Sequence, residues 1–354
     1  MERAEVERSV HGAFRTLPEV DVAGLYSNEL ELRREAARAL VAAGREAGFF
    51  YLTGHSVSAD LRAELLAQAR AFFSQSTAQK LELYIGKSAN HRGYVPPGEE
   101  TFYDGARDQK ESFDLCFERC EPTPSHPFAG PNVWPPLPGF RDVVSRYYDA
   151  VFELGERLLQ GFALGLDLPE TFFDRFVTAP PSQLRMLHYP QNPAPDVTVG
   201  IGAHTDYECF TILLPTAPGL EVMNGAGEWI DAPPRPGAFV VNLGDTLEMW
   251  TNGQLVATSH RVRKVSVERY AFPLFFACDY HVEVQPLPCF VSAERPARYP
   301  PLKAGEHLYA QTLQSFGYLK QRLARGELVL PSSARPLSSF GQAGKLIYHG
   351  ADGD

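Results

Sequence analysis

Cysteine is scarce in this 354-residue chain. The five that occur, Cys116, Cys120, Cys209, Cys278 and Cys289, are scattered and odd in number, which excludes a disulfide framework and favours the reduced thiols of a cytoplasmic protein. Cys116 and Cys120 have the spacing of half a metal site, but no second pair completes it. Long apolar runs are missing too. The greasiest stretches, Phe239 to Leu243 and Phe272 to Cys278, are strand-sized and far short of the roughly 18 to 20 residues that span a bilayer. The N-terminal run MERAEVERSV mixes both charges and lacks the apolar centre of a signal peptide. Basic residues are in deficit, 33 Lys and Arg against 43 Asp and Glu, for a formal net charge of −10. With no global positive field to steer a polyanion, nucleic acid is disfavoured as a partner, whereas a small anion in a locally basic pocket stays compatible. The expectation is a cytoplasmic globular protein with a small-molecule partner, no nucleic acid and no membrane. Oligomeric state is not legible.

What is present is an ordinary globular composition, 44% apolar and 21% charged, punctuated by 29 glycines and 29 prolines. The first half has helical periodicity. Glu31 to Ala47 repeats Leu32, Ala36, Ala39, Leu40 and Ala43, Gly48 ends it, and Phe49 to Leu52 reads as a strand. Ser58 or Asp60 caps a second helix running to Phe73, and Phe140 to Leu166 forms a third. Between them lies a Gly/Pro-rich stretch with a strand-like piece, Ser112 to Phe117. From Leu184 the period becomes two. The candidate strands are Leu184–Tyr189, Cys209–Leu214, Leu220–Met223, Trp229–Asp231, Ala238–Leu243, Thr246–Met249, Ser259–Val262 and Tyr270–Cys278. Turn signals at Pro218-Gly219, Asn224-Gly225, Pro236-Gly237 and Asn252-Gly253 separate them, the last predicting a hairpin. So many short strands predict a two-sheet jelly roll or barrel, hence an α+β fold. A last helix is predicted over Glu306 to Leu323. The reading is a mainly helical region 1–180, a β core 181–295 and a C-terminal helix and tail 296–354, all one merged unit.

The chemistry-bearing candidates begin with His204-Thr205-Asp206 at the entrance to a strand, where side chains two apart share a face. Such a pair is common by chance, and a rival exists in His281-Val282-Glu283, preceded by Asp279. The company of each pair separates them. His260 follows Asp206 by 54 residues on another predicted strand, whereas His281 and Glu283 have only His307 and His349 downstream. Two histidines and one carboxylate on one face of an ion, with the other positions open, make the facial triad of non-haem Fe(II) oxygenases.

The runs Gly202-Ala203-His204-Thr205-Asp206, Phe210-Thr211-Ile212-Leu213, Val241-Asn242-Leu243-Gly244-Asp245, Ser259-His260-Arg261-Val262 and Glu268-Arg269-Tyr270 appear in that order, after Leu17-Pro18-Glu19-Val20-Asp21, Gly48-Phe49-Phe50 and Gly93-Tyr94. Together they resemble the Fe(II)/2-oxoglutarate-dependent dioxygenases of the isopenicillin N synthase-like superfamily. The resemblance implies a double-stranded β-helix (jelly roll) core with flanking N-terminal helices and a C-terminal helix. It puts His204, Asp206 and His260 on the iron ligands and Arg269 on the arginine that grips the distal carboxylate of 2-oxoglutarate, a task suited to a planar bidentate guanidinium. That family usually has a serine two residues later, where this chain has Ala271. Tyr189 matches a tyrosine that completes the cosubstrate site, and Arg185 shares its strand face and matches an arginine near the cosubstrate of the bacterial ethylene-forming enzymes. His188 has the opposite parity and reads as structural. Phe275 falls where the family has an aromatic wall of the substrate pocket, with core packing as the equal alternative, and Tyr94 and Phe113 are further pocket candidates. Aromatic segments including Phe102-Tyr103 allow an apolar or aromatic substrate. The implied cofactors are Fe(II), 2-oxoglutarate and O2. The implied reaction is oxidation of a small molecule, by default hydroxylation, with release of succinate and CO2. The alternatives are a 2-oxoglutarate-independent oxidase resembling isopenicillin N synthase, an ethylene-forming enzyme, and a non-catalytic ligand sensor on the same scaffold.

Overall fold

Apolar residues at helical spacing fold as expected in the computed structural model, which describes residues 13–101, 110–118, 125–191, 199–263 and 266–334. Helix α1 (Leu30–Glu46) turns Ala36, Ala37, Leu40, Val41 and Ala43 inward. Helix α2 (Ala59–Phe73) starts at Ser58, whose hydroxyl accepts the Leu61 N–H at 3.2 Å. The short α3 (Thr77–Leu81) opens on a Ser76–Gln79 capping box. Helix α4 (Phe140–Gly165) buries Val144, Tyr147, Val151, Leu154 and Leu158. At Gly155 a Cβ would come within 2.3 Å of the Phe276 ring, so the missing side chain is what lets helix and sheet touch.

The strands are β1 (Glu19–Asp21), β2 (Phe49–Thr53), β3 (Gly93–Val95), β4 (Glu111–Cys116), β5 (Gln183–Tyr189), β6 (Val199–His204), β7 (Phe210–Pro215), β8 (Leu220–Met223), β9 (Trp229–Asp231), β10 (Phe239–Leu243), β11 (His260–Arg263), β12 (Arg269–Phe276), β13 (Glu283–Val284) and β14 (Leu302–Lys303). Eight form a mixed sheet in the order β1-β2-β10-β7-β12-β5-β4-β3, and four form a smaller antiparallel sheet, β6-β11-β8-β9. One face of the large sheet carries Phe50, Phe113, Leu184, Ile212, Phe272 and Phe276 into the helical layer. Its other face carries Leu187, Leu213, Val240 and Ala271 against Leu220, Val222 and Val262 of the small sheet. The alternation of period two divides the chain between these two cores, and the architecture is α+β. Among the described residues no helix is long and apolar enough to cross a membrane.

Several expectations are corrected. Thr246–Met249 is not a strand: it lies in α5 (Asp245–Trp250), buried at every position. Burial on all sides hides a helix of this length from any periodicity test. Asn252-Gly253 is not a hairpin but the turn after that helix, with φ of 53° and 74°. There the Asn252 amide donates to Phe290 O and Pro296 O at 3.1 and 3.0 Å. The single C-terminal helix is two, α6 (Ala304–Ser315) and α7 (Gly317–Ala324), broken at Phe316. Phe316 is extended and forms a β-bridge with Glu100, while Gly317 N–H donates to Glu99 O at 2.8 Å. His204 ends a strand instead of starting one, because β6 precedes it. Cys120, Phe102, Tyr103 and His349 lie outside the described residues.

Candidate active site

β6 and β11 are antiparallel neighbours, and their register sets His204 directly opposite His260. Asp206 stands just past the end of β6. Its Oδ1 is 3.6 Å from His204 Nε2 and 3.7 Å from His260 Nε2, and the three ligand atoms all lie within 4.8 Å of one another. Both Nδ1 atoms face carbonyl oxygens, Gly202 O at 2.8 Å and Thr258 O at 3.3 Å. A carbonyl only accepts, so each Nδ1 carries the proton and each Nε2 keeps its lone pair for a metal. Burial and the neighbouring His204 push His260 down to about 4, so it stays neutral and ready to ligate.

Asp206 Oδ2 accepts the Thr211 hydroxyl and the Asn242 amide, the latter at 2.7 Å, which leaves Oδ1 for an ion. Burial alone would raise this carboxyl, but His260, His204 and those two hydrogen bonds outweigh it and hold it below its ordinary value. Asp245 N–H donates to Asp206 O at 2.8 Å, and a Cβ at Gly244 would strike Glu208 O at 2.2 Å, so the loop after β10 closes tightly on the loop after β6. Two imidazole nitrogens and one carboxylate oxygen, already ionised and aimed together, fit a divalent iron. The supporting roles of Thr211 and Asn242 escaped the sequence reading. The available signal was parity: Asn242 is a lone amide in the apolar strand Phe239–Leu243, on the face of Val240 that turns toward the small sheet.

On the large sheet, Arg269 and Tyr189 are cross-strand partners. The Arg269 guanidinium is 1% exposed and lies 4.8 Å from the Tyr189 ring centroid. It donates through Nε to Ala217 O at 3.3 Å, while Nη1 meets no acceptor and Tyr189 Oη lacks a hydrogen bond of normal geometry among the described residues. Burial lowers the arginine and raises the phenol, and their mutual proximity opposes both shifts. A buried, unsatisfied guanidinium edge is costly unless an anion completes it. Ala271, on the same face, is fully buried between Leu187 and Pro215 and offers no polar atom.

A cavity of about 140 Å³ adjoins His204 and Asp206. Phe275 lines it. Arg185 also lines it, but its donors are engaged: Nη1 and Nη2 meet Glu100 at 3.1 Å each, and Nε meets Asp114 at 3.1 Å. Lys110 Nζ reaches the same Glu100 at 2.9 Å. Burial would raise Glu100, yet these two cations hold it well below the carboxylate range, and the two carboxylates hold Arg185 charged against the opposing effect of burial. Four residues, about 13 Å of strand, separate Arg185 from Tyr189, yet the Arg185 charge still acts to lower the Tyr189 phenol against the effect of burial. Glu208, also on the wall, is raised to about 8 by burial and by Asp206.

Tyr94 and Phe113 do not face the cavity. They point from the other side of the sheet into the helical layer, where Phe113 packs 4.8 Å from Phe72 and Tyr94 donates to Glu111 at 2.6 Å. His188 has the same outward parity and joins Glu111 and Glu268 at 2.8 and 3.0 Å. The rival pair does not assemble. Asp279 caps Thr178 and Ala179, and among the described residues only His204, Asp206 and His260 have the spacing of a metal group.

Comparison with known proteins agrees with this geometry. Residues 180–277 match the 2OG-Fe(II) oxygenase superfamily model, and residues 17–137 match the model for the N-terminal part of the non-haem dioxygenase in morphine synthesis. The chain is 39% identical over 273 residues to a 2-oxoglutarate-dependent dioxygenase, caaD, of Aspergillus niger, covering 74% of this chain and 84% of that one. It is 32% identical over 325 residues to a homoarginine-6-hydroxylase of Oryza sativa, covering 86% and 98%. A full-length Neurospora crassa protein, solved in complex with alpha-KG, superposes with a TM-score of 0.73 at 28% identity, over 87% of this chain and 96% of that one. The chain therefore belongs to the 2OG-Fe(II) oxygenase superfamily and is an Fe(II)- and 2-oxoglutarate-dependent dioxygenase that uses O2.

Proposed function

We propose that this dioxygenase hydroxylates a compact small molecule held in the cavity beside His204 and Asp206. His204, Asp206 and His260 would hold the iron, and Arg269 with Tyr189 would hold the distal carboxylate of 2-oxoglutarate. The observation that carries this reading is the buried Arg269 Nη1, which meets no acceptor among the described residues, beside its cross-strand partner Tyr189. A carboxylate is the anion that would complete it, and the 2-oxoglutarate dependence of the family makes the cosubstrate the carboxylate to expect there. Iron, 2-oxoglutarate and dioxygen together supply the oxidising power that puts one oxygen atom into a substrate C–H bond and releases succinate and CO2. The chain's own part is to hold the carboxylates, orient the substrate against Phe275 and keep water out of a largely buried site.

The two sheets support a double-stranded β-helix, with the described residues of the mainly helical region 1–180 and of the C-terminal region 296–354 packed on the described core within 181–295 as one unit. The composition and the scarce cysteines support a cytoplasmic location. A small-molecule substrate is supported by the complex of the Neurospora crassa protein with thymine and by the rice relative, a homoarginine-6-hydroxylase.

The test is anaerobic titration of the Fe(II) protein with 2-oxoglutarate, followed by the visible charge-transfer band. The band is expected in the wild type and absent in His204→Ala. Its absence from the wild type would sink the reading.

A further inference from the structure

The inner face of β5 presents Gln183, Arg185, Leu187 and Tyr189 in line. Tyr189 belongs to the Arg269 rung. Six residues away, about 20 Å along the strand, Gln183 is the cross-strand partner of Phe275, and both line the cavity. Of the other polar side chains lining the cavity, Arg185 is engaged with Glu100 and Asp114, Thr312 with Leu308 O and Ser315 with Gln311 O, whereas the buried Thr205 hydroxyl has no partner among the described residues. The Gln183 carboxamide, half-buried, makes no hydrogen bond to any described residue. It therefore offers a C=O acceptor beside an N–H donor, next to an aromatic face.

Such an edge pairs bidentately with a molecule that carries a donor beside an acceptor, the geometry by which a glutamine reads an adenine edge. A ligand that covers the amide without returning both bonds strands two polar groups, and sites of that kind reject analogues lacking the matching group. We propose that Gln183 is a specificity-determining residue of the cavity, selecting a planar lactam or carboxamide whose ring rests on Phe275 and whose donor–acceptor edge pairs with the Gln183 amide. The proposal rests on the function given above, which places the iron and cosubstrate at the His204 and Arg269 ends.

The experiment uses the full chain, loaded with Fe(II) and 2-oxoglutarate without oxygen. The charge-transfer titration comes first, and its failure overturns both readings. Calorimetric titration then compares 2-pyridone and benzamide with N-methyl-2-pyridone and N,N-dimethylbenzamide, which keep the ring and the acceptor but lose the donor. At least about tenfold tighter binding of the parent compounds is expected in the wild type, and Gln183→Leu should reduce that preference to within about twofold. If neither parent binds, if the methylated forms bind as tightly, or if Gln183→Leu keeps the preference, the Gln183 proposal falls while the dioxygenase reading stands. The wild-type ratio decides the matter if the variant fails to fold.

Discussion

Thr211 donates its hydroxyl to Asp206 Oδ2, the oxygen not turned toward His204 and His260. With Asn242 on the same atom, the carboxylate is held as a one-oxygen ligand before any ion arrives. Removing that support without changing the shape isolates its worth. Thr211→Val should weaken Fe(II) binding about 10- to 100-fold, read by competition with a chelator of known affinity. Unchanged affinity would mean that the strand alone orients Asp206.

If Arg269 holds the distal carboxylate as proposed, Arg269→Met should raise the KM for 2-oxoglutarate by well over tenfold while the protein still binds iron. Ala271→Ser probes the same pocket from the other direction. Adding a hydroxyl on the Arg269 face supplies one hydrogen bond, about 1 kcal/mol, and should tighten 2-oxoglutarate binding about fivefold in the anaerobic titration. Weaker binding would show that the bound carboxylate stays away from this position.

Glu100 neutralises Arg185 and Lys110 at once, and the side chains of all three are no more than 10% exposed. Glu100→Ala removes one partner from each of two buried cations and should cost about 3–5 kcal/mol in urea unfolding. A loss below about 1 kcal/mol would mean that water replaces the carboxylate.

His91 is buried and in contact with the Tyr318 hydroxyl at 2.7 Å, and burial with nearby Arg92 and Arg185 pushes it down to about 3. Its unfolded value is near 6.5, so below that pH the unfolded chain takes up a proton that the folded chain refuses. Stability from this group is therefore full above about pH 6.5 and declines as the pH falls toward 3, by on the order of a few kcal/mol. His91→Phe should flatten the acid side of the stability curve relative to the wild type, measured by urea midpoints at several pH values. An unchanged slope would assign acid sensitivity to other groups.

The local rules of the chain made much of this legible. The apolar spacing of Leu32 to Ala43 and of Phe140 to Leu166 marked two packing helices, and alternation after Leu184 marked most of the strands that carry the site. The triad was legible because iron chemistry restricts the ligand types, His204 and Asp206 share a strand face, and the order of the motifs resembles that of the family. The reading failed where local signals are silent. α5 is buried all round, the break at Phe316 depends on pairing with Glu100, and Tyr94 and Phe113 needed the sheet's orientation before their faces could be assigned.

The sequence by itself determined the candidate ligand types and the parity of the strands beneath them, because these follow from side-chain chemistry and the two-residue repeat of extended backbone, while the order of the motifs carried the family resemblance. Only the tertiary structure decided which face of each strand turns toward His204, Asp206 and His260, that Arg185 is tied to Glu100, and that Gln183 stands beside Phe275 with its amide unpaired among the described residues. Those facts depend on which strands become neighbours and in what register, and that is settled by the packing of the whole chain.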